Sequence, residues 1–307
     1  MNYDVTVIGE IYLDHVFSGF LKWPQPGEEI FTEEYTAELG GGAVTTACAL
    51  AKLGRNVQLI GMVGREQFET VKTRLNDFGV SESHLIFGSR SSGVTVSIST
   101  PQDRTFFTYR GANSQLSEYI AHHPETLRRA ALARHIHIAF PLTAQDATVV
   151  LPILRANGAR ITLDVGHQVE WLKDPRSLEV IRAIDYLMPN EKEAALFAGA
   201  GKDYLEYCRQ IGLRNGLVKL GAAGAALFIG DAEYRASAPN IDVQDTTGAG
   251  DAFDAGFIEG ILSDLPPRQA LEYGCICGAL STRARGALGA LPTLQEIKAI
   301  CEDSNAA

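Results

Sequence analysis

The segment DTTGAGDAFDAGF, residues 245–257, places a run of small residues directly before a helical pattern. From Phe253 onward the apolar side chains recur at the spacing of one helix face, so Gly248, Ala249 and Gly250 lie at a predicted helix N-terminus. That position offers N–H groups without partners and the positive end of the helix dipole, and glycines let an anion approach the backbone. The segment therefore predicts a binding site for an anion such as phosphate.

Asp251 follows this loop in the first turn of the predicted helix. A carboxylate at this place can simply interact favourably with the helix dipole. Beside an anion site, it can also take the proton from a hydroxyl group that attacks phosphorus. The spacing alone leaves both interpretations open.

The same segment resembles the C-terminal signature of the ribokinase-like carbohydrate kinases, the PfkB family. The family pattern is close to D-T-x-G-A-G-D-x-F-x-x-G, and every named position is present. The resemblance implies that Asp251 is the catalytic base and that Gly248, Ala249 and Gly250 form the anion hole for the transferring phosphoryl group. Asp254 stands where Asn is commoner in the family. The implied activity is transfer of the γ-phosphoryl group of ATP to a hydroxyl of a small sugar or sugar derivative.

A second glycine-rich segment, GGGAVTTACALAKLG at residues 40–54, is similar to the sugar-binding motif of this family. The resemblance implies that Gly41 and Gly42 open a helix and touch the sugar, and that Thr45 stands where an Asn binds sugar hydroxyls. A hydroxyl has one donor where an amide has two donors and an acceptor, so a substrate other than ribose or a common hexose is indicated. In the alternative interpretation, Thr45 and Thr46 only fill the helix start.

Two further positions resemble substrate-binding residues of the family. Asp14, in GEIYLD at residues 9–14, matches the Asp after the first strand that accepts hydrogen bonds from sugar hydroxyls. Arg110, in FFTYRGAN at residues 106–113, matches the end of a lid strand, and its planar guanidinium suits a carboxylate or phosphate. Apart from the resemblance, Asp14 is a solvated loop acid and Arg110 a surface residue on a strand edge.

The resemblance also implies a nucleotide site and its cations. The residues expected to contact the nucleotide, or to organise water and Mg²⁺ around its phosphates, are Asn190, Glu193, Lys219, Gly221, Gly224 and Gly286. Asp245 and Thr247 correspond to a loop that binds a monovalent cation such as K⁺ in several members. The implied ligands are ATP, Mg²⁺ and K⁺. By its residues alone, Asn190–Glu193 indicates a helix start with acidic first-turn residues.

The elements that must position these residues follow an alternating pattern. Apolar, β-branched runs predict strands, and the segments between them have helical spacing or composition, which is typical of βαβ units and a parallel sheet. Predicted strands are 4–10, 57–63, 135–140, 160–164, 186–189, 216–220 and 225–229, and predicted helices are 43–53, 67–78, 143–157 and 191–198. We therefore expect one domain over residues 1–307, a three-layer α/β/α sandwich with a mostly parallel central sheet.

Two regions break this alternation, approximately residues 12–38 and 90–111. In the second region Val94, Val96 and Ile98, and then Phe107 and Tyr109, alternate with polar residues at the period of a strand. We expect antiparallel strands outside the main sheet, forming a small β-sheet lid beside the α/β body. A homodimer formed through this lid is a further expectation.

The composition limits the partners and the compartment. Lys and Arg number 27 against 37 Asp and Glu, a net charge of −10, which disfavours nucleic acid as a partner. No stretch approaches the ~18 uninterrupted apolar residues that a membrane-spanning helix needs. The 5 cysteines are an odd, scattered set, which favours reduced thiols and the cytoplasm over a disulfide framework.

Two alternatives to a sugar kinase stay open at this point. A nucleoside kinase of the same fold shares the signature, and Thr45 weakens the assignment of an ordinary sugar. A catalytically silent sugar-binding protein on this fold is the other alternative, since a fold does not fix a function. The complete anion loop with Asp251 disfavours the second of these.

Overall fold

The computed structural model describes residues 3–100 and 104–306. Its centre is a parallel sheet with the strand order β11-β10-β9-β1-β4. These strands are β1 Val5–Gly9, β4 Val57–Ile60, β9 His135–Ala139, β10 Arg160–Leu163 and β11 Tyr186–Leu187. Val7 of β1 lies opposite Leu59 on one side and opposite His137 on the other. Apolar residues fill these strands because both faces of the sheet are covered.

Helices cover the two faces of this sheet. In chain order they are α1 Gly42–Lys52, α2 Phe68–Asp77, α3 Leu116–His122, α4 Pro124–Ala130, α5 Ala144–Leu154, α6 Val169–Lys173, α7 Ser177–Arg182, α8 Glu191–Ala198, α9 Tyr204–Gln210, α10 Ala249–Leu262, α11 Pro267–Ser281 and α12 Leu294–Ala306.

Neighbouring residues of β1 point to opposite faces, and each face has its own apolar core. Val5 and Val7 pack in one cluster with buried residues of α1, α2, α10, α11 and α12. Ile8 packs in a second cluster with buried residues of α3 to α7. This arrangement confirms the predicted three-layer α/β/α sandwich with a mostly parallel sheet.

Glycine 61 divides the strand that was predicted over 57–63. A Cβ at this residue would lie 2.7 Å from Ile11 Cδ1 and 2.8 Å from the Gly9 carbonyl oxygen, so the backbone passes too close for a side chain. β4 ends before it, and β5 Met62–Val63 then pairs in parallel with β6 Ile86–Phe87.

Beyond β11, the sheet region continues as antiparallel strands. They are β12 Asn215–Lys219, β13 Ala225–Ile229 and β14 Ala232–Ala236. A parallel bridge between Asn190 and Lys219 brings the end of β12 beside the start of α8. This bridge matters for the site, because both residues are predicted to face the nucleotide.

A separate sheet lies beside the α/β body, and we refer to its strands as the lid sheet. It has the order β3-β2-β7-β8, with β2 Tyr12–Ser18, β3 Glu34–Gly40, β7 Gly93–Ser99 and β8 Arg104–Tyr109. The outer pairs are antiparallel as predicted, but β2 and β7 run parallel, because both leave the body in the same direction from Tyr12 and Gly93. Positions 101–103 of the predicted second lid segment lie outside the described residues.

Within residues 3–100 and 104–306, no helix is long and apolar enough to span a membrane.

Candidate active site

The N-terminus of α10 is shaped by glycine. Gly248 has a φ of +74°, in the left-handed region, and a Cβ there would lie 2.6 Å from Ala287 Cβ. Only glycine therefore adopts this backbone without strain. A helix start leaves N–H groups without intrahelical acceptors, although the Ala249 N–H already donates to the Thr246 carbonyl oxygen at 3.2 Å.

Asp251 lies in the first turn of α10 and faces the start of α1. A Cβ added to Gly42 would lie 2.7 Å from Asp251 Oδ1, and Thr46 Oγ1 donates a hydrogen bond to the Asp251 carbonyl oxygen at 3.1 Å. The two glycine-rich motifs, about two hundred residues apart in sequence, thus meet at this carboxylate.

Asp251 has an unusual protonation equilibrium. Burial is the main cause that raises its pKa to about 7, and the charges of Asp164, Glu193 and Asp14 act in the same direction, while Lys219 acts against them. A carboxyl group with a pKa near neutrality accepts a proton far more effectively than one with an ordinary pKa. The site therefore contains a group suited to general-base chemistry at physiological pH.

Lys219 ends strand β12 and reaches the same place from the other side. Its Nζ donates to Asp164 Oδ2 at 2.6 Å and to Asp254 Oδ1 at 3.1 Å, and it lies 3.5 Å from the Gly250 carbonyl oxygen. Lys219 is buried, with 7% of its surface exposed. Its ammonium group thus points into the protein, between β10 and the first turn of α10.

Asn190 and Glu193 form a capping box at the start of α8. Asn190 Oδ1 accepts from the Glu193 N–H at 3.0 Å, and Glu193 Oε2 accepts from the Asn190 N–H at 2.9 Å. Burial first, and then the charge of Asp164, raises the pKa of Glu193. A nearby cation would favour the charged form, and carboxylate and amide oxygens are ligands of the kind that Mg²⁺ takes. The residues present therefore fit Mg²⁺ bound together with nucleotide phosphates.

The glycines after β12 have backbone reasons of their own. Gly224 has a φ of +95°, and a Cβ there would collide with the Ala236 carbonyl oxygen. Gly221 has a φ of +56° with open space beside it and begins a 3₁₀ turn. Gly224 is thus required by packing, whereas the surroundings of Gly221 leave room for a ligand.

Asp245, Thr247 and Gly286 form one hydrogen-bonded loop contact. Asp245 Oδ1 accepts from Thr247 N–H at 3.0 Å and from Thr247 Oγ1 at 2.7 Å, and Asp245 Oδ2 accepts from Gly286 N–H at 3.0 Å. These donors already use most of the lone pairs of the carboxylate. A monovalent cation here would depend on backbone carbonyl groups.

The lid sheet reaches the same loop through β3. The Glu38 carboxylate lies where a Cβ of Gly286 would be, and Gly286 has a φ of +80°. Arg285 Nη1 lies 3.3 Å from Glu34 Oε2. These two contacts therefore join the lid sheet to the loop that is predicted to bind the nucleotide.

Asp14 lies on β2, next to β3. Its carboxylate packs directly against Gly40, where any side chain would collide with it. Burial is the main cause that raises the pKa of Asp14 to about 6, Glu38 adds to the effect, and a hydrogen bond from Thr95 opposes it. Asp14 is thus a half-buried carboxylate on a strand rather than a solvated loop acid.

Thr45 is buried, with 1% of its surface exposed. Its Oγ1 donates to the Gly41 carbonyl oxygen at 3.3 Å, and its methyl group packs beneath Gly248. Gly41 has a φ of +98° and approaches the Glu10 carbonyl, so it needs to be glycine for backbone reasons. Thr45 therefore supports the anion loop, and the lone pairs of its hydroxyl are directed by the bond to Gly41.

Arg110 is engaged by the protein itself. Its guanidinium pairs with the Glu10 carboxylate, and Tyr12 Oη donates to Glu10 Oε2 at 2.7 Å. Burial first, and then Glu10, raises the pKa of Tyr12. Asn113 fixes the same junction by two hydrogen bonds to the backbone of Ile11, at 3.0 and 2.8 Å. The anion that faces Arg110 in this structure is thus Glu10.

Sequence reasoning did not identify Glu10, Tyr12 or Asp164 as site residues. Asp164 follows β10, and ligands of parallel sheets bind at the carboxyl ends of the strands, so its position was an available signal. Glu10 and Tyr12 follow β1 in the same way. Their pairing with Arg110 spans about a hundred residues, and no local pattern predicts it.

The chain is similar to known proteins both in sequence and in fold. The sequence pattern described as pfkB family carbohydrate kinase matches residues 3–294. The chain is 27% identical to the ribokinase of Haemophilus influenzae, over 96% of this chain and 97% of that protein. It is 31% identical to the ATP-dependent ribose-1-phosphate kinase of Halopiger xanaduensis, over 86% of each.

A solved structure of similar fold is the Arabidopsis thaliana ribokinase complexed with ribose and ATP. It superposes with a TM-score of 0.83 and 24% sequence identity, covering 98% of this chain and 99% of that one. At this identity the likeness concerns the fold, and it agrees with the layered architecture and the additional lid sheet described above.

Proposed function

The chain belongs to the pfkB family of carbohydrate kinases and is thus an ATP-dependent phosphotransferase, and we propose that Asp251 activates a hydroxyl of a small sugar or sugar derivative as the acceptor. The observation that carries this proposal is the Asp251 carboxyl group, with a pKa of about 7, at the start of α10 beside the loop Gly248 to Gly250. A base and an anion site lie within one helical turn, as phosphoryl transfer to an alcohol requires.

The reaction follows from these positions. Asp251 takes the proton of the acceptor hydroxyl while its oxygen forms a bond to the γ-phosphorus, and the bond from that phosphorus to the β-phosphate oxygen breaks to release ADP. The N–H groups of Gly248, Ala249 and Gly250 stabilise the charge on the transferring group. Bound Mg²⁺, held with the phosphates near Asn190 and Glu193, would neutralise charge on the nucleotide.

The nucleotide is proposed to lie along α8, Gly221 and the Gly286 loop. We propose that Asn190, Glu193, Gly221, Gly224 and Gly286 contact the nucleotide or organise Mg²⁺ and water around its phosphates. We also propose that Asp245 and Thr247 bind K⁺, and a comparison of initial rates in K⁺ with those in a bulky organic cation tests this site.

The substrate is proposed to bind between Asp14, the start of α1 and the lid sheet, which closes over it. Asp14, Gly41, Gly42, Thr45 and Arg110 supply this side. A nucleoside is the second candidate, because Thr45 lacks the amide that would hold a sugar diol in two directions. An ADP-release screen over neutral sugars, sugar acids, phosphosugars and nucleosides distinguishes these classes.

The proposed base is tested by Asp251→Asn, an isosteric change acceptable at a helix start. We expect turnover to fall by about 10²–10⁴-fold, the usual contribution of a positioned general base, with the ATP dissociation constant unchanged. The matched control is Asp264→Asn beyond the other end of α10, where φ is +53° and Asn is well tolerated. Wild-type turnover in purified Asp251→Asn would remove Asp251 from the mechanism.

A homodimer through the lid sheet is also proposed. Support comes from the aromatic side chains that this region exposes, which are Trp23, Phe31, Tyr35, Phe106, Phe107 and Tyr109. Sedimentation of Phe107→Ser should show weaker self-association than wild type. Val243→Ser is the control, since Val243 is 56% exposed, as Phe107 is 54%, but lies outside the lid sheet. Equal sedimentation of wild type and Phe107→Ser would contradict this interface.

We also propose that the protein is located in the cytoplasm. This proposal is supported by the burial of Cys48, Cys208 and Cys277, whose thiols have pKa values raised by desolvation to about 12 and are thus held in the protonated form.

A further inference from the structure

The three protons of the Lys219 ammonium group have three acceptors inside the protein. They are Asp164 Oδ2 at 2.6 Å, Asp254 Oδ1 at 3.1 Å and the Gly250 carbonyl oxygen at 3.5 Å. A lysine ammonium has no further donor once three acceptors are engaged. Lys219 is therefore not arranged to donate to a nucleotide phosphate.

The acceptors of Lys219 belong to two different elements. Asp164 follows β10, whereas Gly250 and Asp254 lie in the first two turns of α10, on either side of Asp251 in sequence. Asp254 is fully buried, and carboxylate oxygens of Asp164, Asp251 and Asp254 all lie within 4.8 Å of one another. The ammonium group is thus a bridge between the central sheet and the helix that carries the proposed base.

The pKa values of the two carboxyl groups on this bridge are shifted in opposite directions. Burial acts to raise the pKa of Asp164, but Lys219 and hydrogen bonds outweigh it, so the pKa of Asp164 is lowered. Burial holds the pKa of Asp254 well above its ordinary range even though Lys219 opposes this. The Nε2 atom of His137 lies 3.9 Å from Asp254 Oδ2, and burial lowers the pKa of His137 to about 4. The Lys219 ammonium thus lies between two carboxyl groups in a site from which water is largely excluded.

We propose that Lys219 is a positioning residue for the phosphotransfer reaction: through Asp164 and Asp254 it fixes the first turns of α10 on the end of β10, and thereby fixes Asp251. The inference rests on the proposed role of Asp251 as base. Under this proposal, Lys219 contacts carboxyl groups of the protein instead of the nucleotide that the motif implied.

Lys219→Met tests the proposal, because it retains much of the side chain and removes the ammonium group. We expect kcat to fall by about 10–100-fold, as a misplaced catalytic group does, with the dissociation constant of ATP changed less than about threefold. The proposal would be overturned if the dissociation constant of ATP rose by about tenfold or more while kcat was retained. That result would make Lys219 a nucleotide ligand. Lys298→Met, at an exposed lysine of α12, is the matched control.

The pH profile gives a second measurement that a merely structural residue would not change. The ionisable groups that face Asp251 are Asp164, Asp254, Glu193, Asp14 and Lys219. Lys219 lowers the pKa of Asp251, whereas Asp164, Glu193 and Asp14 raise it. Lys219→Met should therefore move the acidic limb of the kcat profile to higher pH, by about 0.5 pH unit or more. An acidic limb that stays in place would contradict the proposal.

A double variant tests the bridge itself. In Lys219→Met the Asp164 carboxylate is buried without its partner, which is strongly destabilising. Adding Asp164→Asn removes that charge, so the double variant should have a higher Tm than Lys219→Met and an acidic limb moved back to lower pH. A double variant with no recovery in either measurement would overturn the proposal.

Asp164→Asn alone keeps the test available where Lys219→Met does not fold. It should move the acidic limb to lower pH, because Asp164 raises the pKa of Asp251, and leave ATP affinity unchanged. An unmoved limb again contradicts the proposal. Failure of the proposed base is separate, because it appears as activity retained in Asp251→Asn.

Discussion

The two sides of the site are built differently. On the phosphoryl side, Lys219 at the end of β12 contacts Asp164 after β10 and Asp254 on α10, and both Lys219 and Asp254 are buried. On the lid side, the Arg110 side chain is 45% exposed and Phe107 is 54% exposed. Charges interact more strongly where water is excluded, so a small displacement has a larger energetic effect on the phosphoryl side than on the lid side.

This difference suggests that one side carries out phosphoryl transfer and that the other side determines which substrate binds. The phosphoryl side keeps every named position of its family signature, whereas the lid side has Thr45 and the trio Glu10, Tyr12 and Arg110. A partly buried base on a packed helix suits a reaction that is the same for many acceptors, as proposed for Asp251. A half-exposed sheet can change its side chains without disturbing that base. We therefore expect substitutions on the first side to change kcat and those on the second to change KM.

The largest effect that separates the two sides is expected from Gly42→Ala. The added methyl group would lie 2.7 Å from Asp251 Oδ1, so the carboxylate must move. We expect kcat to fall by about 100-fold, since a displacement of about 1 Å at a catalytic group has that effect. Single-turnover kinetics measure the chemical step, and Tm monitors folding. A wild-type kcat in Gly42→Ala would mean that the phosphoryl side accommodates an added methyl group as readily as the lid side does.

The second prediction concerns pH. Because the pKa of Asp251 is raised to about 7 and the base must be deprotonated, activity is present above pH 7 and is lost as pH falls. Well below pH 7, kcat should fall by about tenfold per pH unit. The lid side shows the same limb in KM only if Asp14, with a pKa of about 6, binds substrate in its charged form. The range from pH 5 to pH 8 extends about one unit below the pKa of Asp14 and about one unit above that of Asp251. A kcat that does not change over this range would contradict the proposed difference between the two sides.

Arg110→Lys probes the lid side. Lysine keeps the charge but loses the planar fork that holds Glu10, so the substrate pocket loses one fixed wall. We expect KM for the sugar-like substrate to rise by about 3–10-fold, with kcat and the KM for ATP unchanged, because this ion pair is half-exposed. The same series tests whether Arg110 recognises an anionic substrate, as its guanidinium would allow. The measurement compares kcat/KM for neutral and acidic sugars in both proteins. A fall in kcat with normal KM would instead join Arg110 to the phosphoryl side.

The smallest effect is expected from Thr45→Val, which removes one hydroxyl without changing the shape of the side chain. The Thr45 hydroxyl bonds Gly41 at the long distance of 3.3 Å, so Tm should change little. KM for the substrate should rise by about 2–4-fold if the hydroxyl also contacts substrate, the value of one weak hydrogen bond. Unchanged KM would leave Thr45 as a packing residue beneath the anion loop.

The residues of the proposed phosphoryl side could be selected from the sequence because their signals are local. Gly248 to Gly250 and Asp251 lie in one continuous segment whose helical spacing begins at Phe253. The layered fold was predictable for the same reason, since each strand and helix has its own periodicity. The parallel pairing of β2 with β7 was missed, because strand direction depends on where distant segments leave the body.

The ion pairs could not be read from the sequence. Lys219 contacts Asp164 across 55 residues, and Arg110 contacts Glu10 across 100. A lysine after a strand near a nucleotide motif is chemically compatible with a phosphate or with a buried carboxylate. Only the three-dimensional distances distinguish the two, and they support the proposed positioning role of Lys219 over the nucleotide contact that the motif implied.

The contacts between β3 and the Gly286 loop have a consequence for the two substrates together. Glu38 packs on Gly286, and Glu34 pairs with Arg285, so the sheet proposed to meet the sugar is attached to the loop proposed to meet the nucleotide. We expect each ligand to bind more tightly when the other is present. Thermodynamic reciprocity then requires one factor for both: the factor by which ATP improves affinity for the sugar equals that by which the sugar improves affinity for ATP.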